Sequence, residues 1–471
     1  MLKKILIANR GEIAVRLIRA CAEMNIRSVA IYTEPDRYAL HVKRADEAHF
    51  IGDDPLGGYL NAHRLVNLAV ETGCDAIHPG YGFLSENPEL AAICARRGIR
   101  FIGPKAEVIQ RMGDKTAARQ AMIEAGVPVT PGSEGNLDDV DHALREAERI
   151  GFPVMLKATS GGGGRGIRRC DSAAELKSAW DRVVSEATKA FGSAEVFLEK
   201  CIDEPRHIEV QILADSHGNT IHLFERDCSI QRRNQKLIEI APSPQLDAAQ
   251  RARICGLAIR AAEAVGYENA GTVEFLVKGE DVYFMEMNTR VQVEHTITEQ
   301  ITGVDIVQEQ IRIASGLPLS WRQDEISMRG FAIQLRINAE DPQQDFLPSF
   351  GRVTRYYAPG GPGVRVDTAI YTGYSIPPYF DSMCLKLIVW ALRWDDALDR
   401  GLRALADMRL MGVKTTAPYY AQILANPTFR GGRFDTSFIA KHPELTRYSE
   451  KTRPQELALA VATAIAVHTG L

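Results

Sequence analysis

The sequence predicts an α/β protein that opens on a doubly wound, mostly parallel sheet and continues as α+β. Three observations carry this. Short apolar runs alternate with amphipathic helical patterns over roughly the first 110 residues. Beyond them, β-rich hairpin patterns mix with helices. The 471 residues, 45% hydrophobic and 25% charged, suffice for two to four domains with real cores.

The elements follow in order. "KILIA" reads as a strand, and "GEIAVRLIRACAEMN" as a helix with Ile13, Leu17, Cys21 and Met24 on one stripe. "SVAIYT" and "CDAIHPG" are further strands. In "SENPELAAICARRG", Asn87 caps a helix, Pro88 takes its first position and Gly98 ends it. "IRFIG" is the next strand. The first turn, "ANRGE", lacks Gly-x-Gly-x-x-Gly, so the domain is not read as dinucleotide-binding. "GDKTAARQAMIEAG" is a helix capped by Asp114. "PVMLKAT", "EVFLEKC", "HIEVQILAD", "NTIHLFERDCS", "AGTVEFLV" and "DVYFMEMN" read as strands, and "AAQRARICGLAIRAAEAVG" as a helix. A third region contains the strands "GFAIQLRINAED", "GVRVDTAI" and "MCLKLIVWA". The tail ends in an alanine- and valine-rich helical segment.

Composition narrows the class. A net charge of -4 gives no reason to expect nucleic acid or an anionic membrane as a partner. The eight cysteines are dispersed and form no Cys-x-x-Cys pair, which suits buried thiols in a reducing cytoplasm. The N-terminal apolar run is too short and interrupted for a signal peptide, and no run approaches the ~20 residues of a membrane span.

Four stretches carry chemistry. In "KATSGGGGRG", Gly161 to Gly164 follow Lys157 on a strand. A glycine loop of this kind closes over phosphates and the lysine contacts them as a point charge, although a flexible hairpin turn has the same composition. It is not a Walker loop. Glu274 and Glu286, on strands joined by the short turn "KGED", can lie side by side with Asn288. Such a pair repels unless a cation intervenes, and Mg²⁺ takes carboxylate oxygens; a solvated strand pair remains open on spacing alone. In "FMEMNTRVQVEH", Glu286, Asn288, Arg290, Gln292 and Glu294 fall on every second position, so a continuing strand presents them all on one face. In "ERDCSIQRRNQKLIE", Arg226, Arg232, Arg233 and Lys236 stand near Asp227, Gln231 and Asn234, as in an anion-binding loop or a charged surface loop.

"ILIANRGEIAVRLIRA", "AIHPGYGFLSEN", "FIGPK", "MGDK", "SGGGGRG", "ERDCSIQRR", "EMNTRVQVEH", "TGVDIV", "RINAEDP" and "APGGPGVRVD" together resemble biotin carboxylase, an ATP-grasp enzyme, over residues 1 to about 445. The resemblance implies a pre-ATP-grasp domain (1–113), an ATP-grasp domain (114–329) whose lid spans about 130–203 with a glycine loop at 160–166, the biotin carboxylase C-terminal domain (330–445), and a tail (446–471). It implies two-step chemistry: bicarbonate attacks the ATP γ-phosphate to give carboxyphosphate, and the CO₂ released carboxylates biotin.

Roles implied by the same resemblance are as follows. Lys115 and Lys157 contact ATP phosphates, Gly163 and Gly164 belong to the closing loop, and Glu199, Lys200, Cys201 and Ile202 hold the adenine. His207, Gln231 and Asn234 are further ATP contacts, Asn234 standing where many members have His. Glu274, Glu286 and Asn288 bind Mg²⁺ or Mn²⁺. Lys236, Arg290, Gln292 and the Val293 backbone cradle bicarbonate, Glu294 is its base, and Arg336 meets biotin. No biotin-attachment signature Ala-Met-Lys-Met occurs. The chain is therefore read as a cytoplasmic, homodimeric subunit served by a separate biotinylated carrier and carboxyltransferase subunit. The tail and "RRNQKLIEIAPSP" look most like the biotin carboxylase subunit of two-subunit pyruvate carboxylase. The biotin carboxylase subunit of acetyl-CoA carboxylase is the competing parent, and a nucleotide-binding regulatory paralogue the distant one.

Overall fold

The computed structural model describes residues 1–159, 166–191, 195–449 and 454–469. Residues 1–101 contain a five-stranded parallel sheet in the order Glu47–Phe50, Arg27–Tyr32, Lys4–Ile7, Ala76–His78, Arg100–Phe101. Ile5, Leu6 and Ile7 are all buried because helices cover both faces, as a parallel sheet requires. The first helix, Gly11–Glu23, buries Ile13, Leu17 and Cys21 as its stripe predicts. Met24 lies just past the helix end and is only half-buried. The Asn87 side chain accepts from the Leu90 N–H at the start of Pro88–Arg96, and Gly98 turns the chain out of it at φ +70°. Asp114 caps Lys115–Glu124 through the Thr116 and Ala117 N–H groups.

An eight-stranded antiparallel sheet dominates the rest, in the order Asp281–Asn288, Asn269–Lys278, Arg206–Ala214, Thr220–Arg232, Gln235–Ala241, Phe331–Asn338, Met383–Ala391, Val364–Thr368. It runs unbroken from residue 241 to residue 332, where Ala241 and Ala332 pair. On one face, Ile208, Val210, Ile212, Val273 and Phe275 pack on Ala258, Ala261 and Met122 from two helices. The alternate residues face the other way and form the polar side described below.

A separate three-stranded sheet, Ile167–Cys170, Val154–Ala158 and Val196–Lys200, packs on the helices Val140–Ile150 and Ala173–Phe191. The glycine positions Gly163 and Gly164 lie outside the described residues. Within the tail, helix Pro454–Thr469 leaves Leu459, Val461, Ile465 and Val467 exposed. No described helix is long and apolar enough to cross a membrane.

Candidate active site

Strand pairing places Glu286 opposite Glu274, Glu274 opposite Glu209, and Glu209 opposite Arg226. Three carboxylates and a guanidinium thus form one lateral row across four strands. A bulge makes the row possible. Glu274 pairs with Glu286 but Phe275 pairs with Phe284, so Met285 has no partner. Without that extra residue, Phe284 and Glu286 would share a face. With it, Val282, Phe284 and Met287 all enter the core, and Glu286 joins Glu274 on the polar side.

The strand does not continue through residue 294. It ends at Asn288, residues 289–294 form an irregular turn, and Glu294 immediately precedes helix His295–Thr302 with φ −85° and ψ 8°. The alternation expected over 286–294 therefore fails as geometry. The residues meet by chain reversal instead. Gln292 Nε2 and Asn288 Nδ2 both donate to Glu274 Oε1 at 2.7 Å, and Arg290 Nη2 donates to Asn288 Oδ1 at 2.8 Å.

Lys236 is the hub. Its Nζ lies 2.5 Å from Glu209 Oε2, 2.9 Å from Glu274 Oε1 and 2.8 Å from Glu294 Oε1. Burial alone would lower the ammonium, but the three carboxylates hold it well above its usual range. Burial likewise opposes charge on Glu274, yet Lys236 and His207 keep it well below the usual carboxylate range; His207 Nε2 is 2.6 Å from Glu274 Oε2. Glu294 is depressed too: burial is outweighed by Lys236 and Arg336, whose Nη2 donates to Glu294 Oε2 at 3.0 Å. Arg336 Nε donates to buried Glu239 at 2.5 Å. Glu286 goes the other way. Burial and the facing Glu274 raise it, and Lys115 only partly offsets them. No hydrogen bond reaches its carboxylate among the described residues.

This imbalance tests the fit of a metal. Glu274 and Glu286 face each other as hard oxygen donors, the charge on Glu286 is only partly offset by its surroundings, and the Asn288 amide lies beside them, which suits Mg²⁺ or Mn²⁺.

The other expected residues are distributed as follows. Lys115 starts its helix near Glu286 and Lys157, and burial lowers its ammonium. Lys157 is ion-paired with Glu199, which also faces Arg119 at 3.6 Å. The amides of Lys200 and Cys201 are taken by the Pro131 and Pro153 carbonyls, and Lys200 Nζ binds the carbonyls of Gly151 and Phe152. Cys201 and Ile202 are half-buried. His207 contacts Glu274 of the carboxylate row, with Gln231 Nε2 3.4 Å from its Nδ1. Asn234 stands apart. It is exposed at the tip of a hairpin, where φ is 49° at Arg233 and 63° at Asn234, a turn in which Asn is favoured.

That hairpin divides the cations of 225–239, a stretch read as an anion-binding loop or a charged surface loop. Arg226 is fully buried, and Arg232 and Arg233 both bind Asp345, with Arg232 over the Phe346 ring. Of the four cations, Arg226 and Lys236 enter the carboxylate cluster, both on Glu209, and Arg232 and Arg233 do not.

Sequence reasoning missed several residues. Glu86 binds Arg290 Nε at 3.0 Å, Glu239 binds Arg336, and Arg226 donates to Glu209, Gln211, Thr272, Thr298 and Gln292. Lys386, also fully buried, joins Glu12 to the Val293 carbonyl, and Tyr81 bonds the same Glu12. A lone lysine inside "MCLKLIVWA" was the available signal for Lys386, since an unpaired charge rarely interrupts a buried strand.

Three family models match successive parts of the chain. Residues 1–109 match the family model "Biotin carboxylase, N-terminal domain", 114–322 "Carbamoyl-phosphate synthase L chain, ATP binding domain", and 334–441 "Biotin carboxylase C-terminal domain". The chain is 53% identical to the 2-oxoglutarate carboxylase small subunit of Hydrogenobacter thermophilus over 100% of both chains. It is 52% identical to a pyruvate carboxylase subunit of Methanothermobacter thermautotrophicus, over 94% of this chain and 90% of that one. Among solved structures, it resembles the biotin carboxylase domain dimer of the H. thermophilus 2-oxoglutarate carboxylase, crystallised with MgADP, ADP and bicarbonate. The TM-score is 0.94 at 54% identity, covering 96% of this chain and 100% of that one.

Proposed function

The chain belongs to the biotin carboxylase family, and from that premise we propose that it uses ATP and bicarbonate to carboxylate biotin borne by a separate carrier subunit of a 2-oxo acid carboxylase. The observation that carries the chemistry is the Lys236–Glu274–Glu294–Arg336 cluster, in which two cations and two carboxylates converge, Glu274 joining it to the carboxylate row.

Each group has work in that reaction. Lys115 and Lys157 receive the ATP phosphates. Glu274, Glu286 and Asn288 would hold the divalent cation. Bound there, it would supply positive charge that neutralises the transferring group. Lys236, Arg290 and Gln292 hold bicarbonate in line with the γ-phosphate, so alignment and charge neutralisation supply most of the rate. Glu294 takes the bicarbonate proton. With Lys236 and Arg336 both on it, the carboxylate is a weak base. An arriving anion that draws these two cations toward itself releases Glu294 and raises its basicity. Bicarbonate thus strengthens the base that deprotonates it. Arg336 then faces biotin and stabilises the negative charge that develops on its ureido oxygen.

The acceptor is a 2-oxo acid. Likeness to the 2-oxoglutarate carboxylase small subunit extends over the whole chain, tail included, and likeness to the M. thermautotrophicus pyruvate carboxylase subunit over 94% of it. The chain is read as a homodimer, as in the crystallised relative. The test begins with ATP hydrolysis that requires both bicarbonate and free biotin; hydrolysis indifferent to bicarbonate would overturn the ligase reading. The biotinylated partner co-purified with this chain is then supplied with pyruvate, 2-oxoglutarate or acetyl-CoA. Carboxylation of one of the 2-oxo acids is expected, and carboxylation of acetyl-CoA alone would overturn the acceptor.

A further inference from the structure

Residues 289–294 belong to no helix or strand, yet this turn places most of the bicarbonate cradle. Its backbone carbonyls are held by side chains, one from within the turn and two from beyond it. The Val291 carbonyl accepts from Arg290 Nη1 at 3.3 Å. The Gln292 carbonyl lies 2.7 Å from His295 Nδ1 and also accepts the His295 N–H at 3.3 Å. The Val293 carbonyl accepts from Lys386 Nζ at 3.1 Å. Three consecutive carbonyls are thus tied to donors. A peptide N–H points opposite its own carbonyl, so the amides of Gln292, Val293 and Glu294 turn away from these anchors. Among the described residues, none of the three amides has a protein acceptor. Consecutive unspent amides form an anion-binding concavity.

The anchors are built for the task. His295 is fully buried, and burial pushes its pKa down to about 3, so the ring is neutral. A neutral ring has one N–H, and a carbonyl can only accept, so the proton sits on Nδ1. Nε2 is left bare, and it is indeed buried without a hydrogen-bond partner. Lys386 is fully buried on strand Met383–Ala391, and its ammonium also meets Glu12 Oε1 at 3.1 Å from helix Gly11–Glu23.

We propose that His295 and Lys386 are positioning residues: they anchor the Gln292 and Val293 carbonyls so that the Val293 and Glu294 amides stay turned toward bicarbonate. The inference rests on the bicarbonate reading above. It also makes the cradle depend on two regions that do not line it, the first helix and the C-terminal strand that carry Glu12 and Lys386.

The experiment is the KM for bicarbonate against the KM for ATP in bicarbonate-dependent ATP cleavage. Lys386→Met frees the Val293 carbonyl, and His295→Phe leaves the Gln292 carbonyl only the longer bond from the His295 backbone N–H; loss of an amide bond to an anion raises the bicarbonate KM about tenfold. The ATP KM stays within about twofold, because the nucleotide contacts lie elsewhere. His295→Asn, whose Nδ2 can occupy the place of Nδ1, returns the bicarbonate KM to within about threefold of the unmodified chain. The inference is overturned if the two KM values rise together, if the bicarbonate KM does not move, or if His295→Asn is as damaged as His295→Phe. Should His295→Phe not fold, Lys386→Met and His295→Asn still decide it. An unmodified chain with no bicarbonate dependence would instead overturn the proposed function itself.

Discussion

Glu286→Gln separates what the carboxylate row costs from what it does. Glu286 faces Glu274 directly across the sheet, is raised by burial and by that neighbour, and has no hydrogen bond among the described residues to compensate. Two like charges about 5 Å apart at an effective dielectric of about 20 repel by about 3 kcal/mol. Attraction to Lys115 offsets part of this, leaving roughly 1–2 kcal/mol of strain in the ligand-free protein. Glutamine keeps the shape and removes the charge. The ligand-free variant should melt roughly 1–2 °C higher in a calorimetric scan. The same variant should lose the extra thermal stabilisation that Mg²⁺ adds to bound ATP, and its turnover should fall by at least about 100-fold, since phosphoryl transfer depends on charge neutralisation. A lower melting point without ligand would refute the reasoning, because it would mean that Glu286 is already compensated by the protein.

Two further outcomes are expected. Arg226→Met leaves Glu209 buried with Lys236 as its one remaining cation among the described residues and strips Gln292 of a 2.7 Å bond, so denaturant unfolding should show a loss of about 3–5 kcal/mol; a loss below about 1 kcal/mol would refute its place as a buried keystone. His41 and His78 are fully buried, and burial lowers them to about 4 and about 3, whereas an unfolded histidine titrates near 6.5. Below that value the unfolded chain gains protons that the folded chain refuses, so stability is complete above about pH 6.5 and falls as pH drops toward 4. Each histidine costs about 2 kcal/mol at pH 5. Melting temperatures should fall between pH 7 and pH 5, ahead of carboxylate titration, and a flat profile there would refute the assignment.

Much of the architecture was legible because its signals are local. Asn87 and Asp114 cap the helices that their spacing predicts, and the strands from "KILIA" to "MCLKLIVWA" carry plain apolar patterns. The site was legible as a set of residue types but not as geometry. Period-two alternation over 286–294 suggested a strand, yet the chain turns at 289 and relies on side-chain donors rather than a ladder. The bulge at Met285 has no mark in composition, because the extra residue is apolar like its neighbours. Arg226 read as one cation in a basic loop. Its burial depends on Glu209, Gln211, Thr272, Thr298 and Gln292, contributed by four separate segments of the chain. Asn234 reads only as an ATP contact, because a turn conformation is not marked in the sequence around it. Its backbone at φ 63° supplies a reason for Asn there.

The unbroken eight-stranded sheet has a consequence for where this chain can be divided. Family boundaries fall between residues 322 and 334, and a sequence-based cut would be made there. The pairing of Gln235–Ala241 with Phe331–Asn338 crosses that gap. Cutting it would turn two interior strands into naked edges, one bearing Ile238 and Ile240 and the other Ile333 and Leu335, each open to pairing with another copy. The heritable module and the folding unit are therefore different objects in this protein. Shuffling the C-terminal module between relatives would have to preserve a strand interface, not merely a linker.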